Sequence, residues 1–88
     1  MRVFNTAITL AGASKELLPP NPQRVSALLV NDDADNVIYI RLLSDAVANE
    51  GIRLNAAGGS YEINQVNPFY GRVFAIGTGK ILVTEVSW

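Results

Sequence analysis

The stretch whose reading decides the fold is NPQRVSALLVNDDADNVIYIR, Asn21 to Arg41, in which a polar hinge holding Asn31, Asp32, Asp33, Asp35 and Asn36 separates two aliphatic runs. Arg24 to Val30 and Val37 to Leu43 are rich in β-branched residues and have the length of strands. With only the hinge between them, they predict an antiparallel pair.

The hinge also invites a metal reading, with Asn31, Asp33 and Asp35 at alternating positions of a calcium loop. Its sixth position is then Asn36 instead of glycine, and its twelfth is Leu42 instead of the bidentate glutamate. The motif fails at both diagnostic places. Short Asx side chains that hydrogen-bond their own backbone explain the cluster as a turn. A weak site made by Asp32, Asp33 and Asp35 is the alternative.

Working outward, Val3 to Leu10 alternates with period two and reads as a strand, while Met1 to Ser14 as a whole reads as an N-terminal strand or arm. The next segment, AGASKELLPPNP, reads as a loop anchored by Leu17 and Leu18, with room for one helical turn at Ser14 to Leu18 before the prolines stop it. Ile52 to Leu54 and Tyr61 to Asn64 flank the turn NAAGGS, and Arg72 to Ile76 and Lys80 to Val86 flank GTG, read as a hairpin connection. The expected architecture is a single all-β domain over residues 1–88, a sandwich or small barrel of about seven short antiparallel strands with little or no helix.

Both alternating sets of the two central runs are largely apolar: Val25, Ala27 and Leu29 against Leu28 and Val30, then Ile38, Ile40 and Leu42 against Val37, Tyr39 and Leu43. A sandwich strand needs only one apolar face. Cover for the second face comes either from the proline loop with Phe69 and Tyr70, or from another subunit.

Composition narrows the chemistry. The 88 residues contain no cysteine and no histidine, which removes disulfides, thiolate ligands, the commonest metal ligand and the usual base near neutral pH. A chain this short buries about 60% of its unfolded surface, and oligomerisation is a common supplement. Seven basic and eight acidic residues leave a net charge of −1, with the arginines scattered, so no basic stripe for nucleic acid is present. No apolar run approaches the ~20 residues of a membrane span. In MRVFNTAITLAGAS, Asn5, Thr6 and Thr9 interrupt what would be a signal-peptide core.

GTGK at 77–80 lacks the earlier glycine and the hydroxyl residue of a phosphate loop and leads into a strand. The serines have no histidine partner. Glu50 with Glu62 is a carboxylate pair of the kind any small protein contains. The expectation is a protein that is not an enzyme and carries no cofactor and no metal. Tyr61, Phe69, Tyr70 and Trp88 are the remaining candidates, as a sugar-stacking platform around the loop NPFYG. The structural alternative has Phe69 and Tyr70 plugging one end of the sandwich and Trp88 packing beside Val86.

The ordered set LPPNPQRVSALLVND, NVIYIRL, GIRLNAAGGSYEI and NPFYGRVFAIGTGKILVTEV, over residues 17–86, resembles a family of small virion proteins of tailed bacteriophages. Its marks are NPQR ahead of the first core strand, the GI-L and GGSYEI segments, and the YG-V-AI-G strand. The resemblance implies a β-sandwich used in virion architecture: a capsid decoration (cement) protein, or alternatively a head or tail fibre module. It implies a homo-oligomer, with a trimer as the expected symmetry, bound to the major capsid protein or other virion proteins. The location it implies is the virion, assembled in the host cytoplasm. On this reading Arg24, Arg53, Arg72 and the Asp32–Asp35 turn serve as rim charges, and Phe69, Tyr70 and Trp88 are further contact residues.

Overall fold

The computed structural model describes residues 1–88 as eight strands and no helix. They are β1 (Arg2–Ala11), β2 (Lys15–Leu18), β3 (Arg24–Asn31), β4 (Ile38–Leu42), β5 (Ile52–Leu54), β6 (Ser60–Ile63), β7 (Val73–Ile76) and β8 (Thr78–Ser87). Two four-stranded antiparallel sheets result, one ordered β1-β8-β3-β6 and the other β2-β7-β4-β5.

The pairing follows one rule: β1 pairs with β8, β2 with β7, β3 with β6 and β4 with β5. A long antiparallel ribbon folded over itself gives this order, which is the jelly-roll winding of a double-sheet sandwich. Only β4 and β5 are consecutive strands that pair with each other.

Three expected hairpins are therefore sheet crossings. β3 and β4 lie in opposite sheets, as do β5 and β6, and β7 and β8. The polar hinge, NAAGGS and the Gly77 corner each carry the chain from one sheet to the other. Gly77 is suited to this at φ 153°, and a side chain there would press on the backbone of Val37 and Ile38.

The segment expected as a loop or helical turn at Lys15–Leu18 is an edge strand on β7, which raises the strand count from seven to eight. A register shift between Glu16 and Leu18 allows both Leu17 and Leu18, adjacent in sequence, to be buried. Their expected inward anchoring holds, though it is achieved by a bulged strand.

Thirteen buried residues form the core, among them Leu29, Ile38, Ile40, Val73, Ala75 and Ile81 at 0% exposure. On β3 the inward set is Ala27 and Leu29, and on β4 it is Ile38 and Ile40, with Leu42 packed beside them. The opposite side of β3 is not covered by any loop. Its Leu28 shares the outer face with Leu82 and Val3, which are 39%, 37% and 62% exposed, and with the half-buried Val30 and Val86.

β1 and β8, ten residues each at about 3.4 Å per residue, match the molecule's 34 Å long axis. β1 pairs with β8 in unbroken register from Arg2 to Ala11 and has no strand on its other side.

Candidate functional site

The polar hinge is organised from its first residue. Asn31, fully buried, accepts from Asp33 N at 2.9 Å and donates from Nδ2 to Asn36 O at 2.8 Å and Leu54 O at 3.1 Å. Its backbone bonds Gly59 O and Gly58 N. One amide thus joins the end of β3 to the turn and to β5 of the facing sheet.

Asp33 Oδ2 in turn accepts from Asp35 N, Asn36 N and Asn36 Nδ2 at 3.1, 2.7 and 2.9 Å. The backbone donors, Asp35 N first and Asn36 N second, hold its carboxyl below its ordinary value, and partial desolvation opposes them. The carboxylate is turned onto its own backbone and against Gly79, where an added Cβ would collide with it. No group of three acidic residues converges on a point. The turn reading of the cluster accounts for these bonds.

The one cleft of the molecule lies at the opposite end of β3. It encloses about 180 Å³ and is lined by Phe69, Tyr70 and Trp88, with Gln23, Gln65 and Arg24 among the polar residues. Two loops build it. In the loop after β6, Asn64 Oδ1 accepts from Val66 N and Asn67 N, both at 2.9 Å, closing an Asx turn. Asn67 Nδ2 reaches Tyr61 OH at 2.9 Å and Glu62 O at 3.2 Å, which fixes the loop to β6. The loop before β3 is bonded to it by Asn21 N on Tyr70 O at 2.8 Å, and Trp88 N reaches Gln23 O at 3.0 Å.

Arg24 is the keystone beneath both loops. A register shift between Arg24 and Ser26 turns its side chain to the same side as Glu85, which stands opposite Ala27 on the inner face. Its Nε donates to Glu85 Oε2 at 2.6 Å, Nη1 to Phe69 O and Gly71 O at 3.0 Å each, and Nη2 to Pro19 O at 2.8 Å. The side chain is 0% exposed. The expectation of Arg24 as a rim charge is overturned: its fork is consumed by three carbonyls and one carboxylate inside the protein.

The other expected contact residues divide. Arg53 and Arg72 are exposed and do not line the cleft, Arg53 bonded to Asn55 Oδ1 at 2.9 Å and Arg72 lying 3.7 Å from Glu16. Such an exposed pair contributes about 0–1 kcal/mol. Phe69 packs on the core, and glycine at 71 leaves room for its ring, since a Cβ there would approach it to 2.9 Å. Tyr70 is 51% exposed and lines the cleft. Trp88 is 65% exposed and lines the cleft. Tyr61 packs against the core under the loop and is not part of the lining.

Sequence reasoning found the aromatic residues but missed Gln23, Gln65 and the Glu85 partner of Arg24. A glutamine in a loop has no signature, and the ion pair spans 61 residues. No family model, curated protein or solved structure matches this chain.

Proposed function

We propose that this chain is a structural protein of a tailed-bacteriophage virion, a capsid decoration protein that self-associates and binds the capsid surface without enzymatic activity. The observation that carries this reading is the unprotected edge and outer face of the β1 sheet. Soluble proteins blunt a long sheet edge with lysines, prolines, bulges or a covering segment. β1 has none of these: its register is unbroken, its only charged residue is Arg2, and Val3 and Phe4 are 62% and 51% exposed.

An edge of ten residues with one row of free backbone groups, continuous with the outer face of Val3, Leu28 and Leu82, suits burial against another chain. A second copy supplies the same strand and face, which is what an isologous, two-fold pairing of like edges uses. The jelly-roll winding is one that viral capsid proteins use, and it is shared with lectin domains and cupins, so it supports the reading by analogy alone. The resemblance of residues 17–86 to small phage virion proteins points the same way. Adhesion then follows from repetition: an oligomer touching several equivalent capsid sites gains avidity from each modest contact.

The test is light scattering from low to high micromolar concentration, together with sedimentation with empty heads of the encoding phage. A stable oligomer that co-sediments is expected, with Val3→Lys plus Ala7→Lys on the outer face of β1 weakening association. A chain that stays monomeric and ignores capsids overturns the proposal.

A further inference from the structure

The cleft at the Trp88 end is not needed for self-association through β1, and its chemistry is distinct from that of the apolar face. We infer that it is a binding site for a single ring of a neutral sugar.

Electrical neutrality comes first. The guanidinium in the cleft floor is matched by Glu85 at 2.6 Å, and four of its five N–H groups are taken by that carboxylate and by the Pro19, Phe69 and Gly71 carbonyls. It has little left to offer an anion. No Asp or Glu side chain lines the cleft, so no acidic side chain there attracts a cation or supplies an acid for glycosidic cleavage.

What the cleft does offer is aromatic surface and amides. Tyr70 and Trp88 are 51% and 65% exposed and both line this one cleft. A pyranose has apolar C–H faces that lie on such rings and a rim of hydroxyls that both donate and accept. The side chains of Gln23 and Gln65 are exposed, make no hydrogen bond within the protein, and provide both functions. Buried polar atoms around them are already paired, so these two amides are free to recognise a ligand.

Size limits the occupant. The volume of about 180 Å³ falls below the range of roughly 300–1,000 Å³ for drug-sized ligands, which leaves room for one ring. A proline-rich peptide, the other ligand that aromatic grooves take, spans about 9 Å per PxxP repeat and needs a longer groove. Binding through one ring is weak, and many copies on one particle make it effective.

The experiment is a titration of the intact ¹⁵N-labelled chain with glucose, galactose, mannose, rhamnose, N-acetylglucosamine and N-acetylgalactosamine. The fluorescence of Trp88, the only tryptophan, is followed in parallel. At least one sugar is expected to give saturable shifts centred on Gln23, Gln65, Tyr70 and Trp88, and Tyr70→Ala and Gln65→Ala, both at exposed positions, should weaken it ten-fold or more with unchanged melting. Absence of any saturable response, a response undiminished in both variants, or a response only to a proline-rich decapeptide overturns the inference. Because the readout is at the cleft, it is independent of whether the chain associates or binds capsids.

Discussion

Arg24 Nε lies 2.6 Å from Glu85 Oε2, an ion pair whose arginine side chain is 0% exposed and whose glutamate side chain is 12% exposed. Removing one member of such a pair leaves an uncompensated charge and, here, three carbonyls that lose their donor. Arg24→Met should cost about 3–5 kcal/mol in urea unfolding. Glu85→Gln keeps the fork and its carbonyl partners and should cost clearly less. Equal losses in the two variants would show that the carbonyl bonds contribute nothing.

Asn31 offers a second separation. Asn31→Ala removes three side-chain hydrogen bonds in a fully buried site and should cost about 2–3 kcal/mol. Asn31→Asp retains the acceptor for Asp33 N but turns an oxygen toward the Asn36 and Leu54 carbonyls, and should cost more than the alanine. Thermal melts of both proteins check the order. An aspartate milder than the alanine would mean that the donations to the two carbonyls are not what holds β5 to the hinge.

Acid stability should depend on Asp33. Its folded carboxyl binds a proton more weakly than an unfolded aspartate at about 3.9, because Asp35 N and Asn36 N donate to the charged form. The unfolded state takes up the proton first, so the stabilisation is complete above the unfolded value and is lost as pH falls through the folded one. Between pH 5 and 2, Asp33→Asn should lose less stability than the natural protein. A carboxyl resonance of Asp33 titrating at or above the unfolded value would contradict this.

Leu43 has φ 84° and is 70% exposed just after β4, where its N–H bonds Arg72 O at 2.7 Å. A branched residue in the left-handed region costs about 1–2 kcal/mol, against roughly 0.5–1 for the extra chain entropy of glycine. Leu43→Gly should therefore stabilise the protein by up to about 1 kcal/mol, while Leu43→Ala, which keeps the Cβ, should not. Chemical denaturation of the two variants decides it.

Local pattern was legible and partnership was not. Period-two runs placed Val3–Leu10, Arg24–Val30 and Val37–Leu43 close to where β1, β3 and β4 lie. The same runs could not say that β3 and β4 face each other across the core, because an alternating strand presents the same pattern whether the next strand pairs beside it or packs opposite it. Lys15–Leu18 escaped notice because Leu17 and Leu18 break alternation, and the bulge that reconciles them with a strand depends on pairing with β7. At the cleft, Phe69, Tyr70 and Trp88 could be named from the sequence. Their juxtaposition with Gln23 and Gln65 depends on loops that meet only after both sheets have formed.

By itself, the sequence determined an all-β chain with strands in nearly these places, an Asx-built turn at Asn31–Asn36, and excess apolar surface on β3. Tertiary structure alone decided that the strands wind as a jelly roll, that the second face of β3 stays open in the same sheet as the bare edge of β1, and that Arg24 is a buried staple instead of a surface charge. The reason is range. Strand propensity and Asx turns are fixed by neighbours within a few residues, whereas the side a bulge turns a side chain toward, and what waits there, is set by partners as distant as Glu85 is from Arg24.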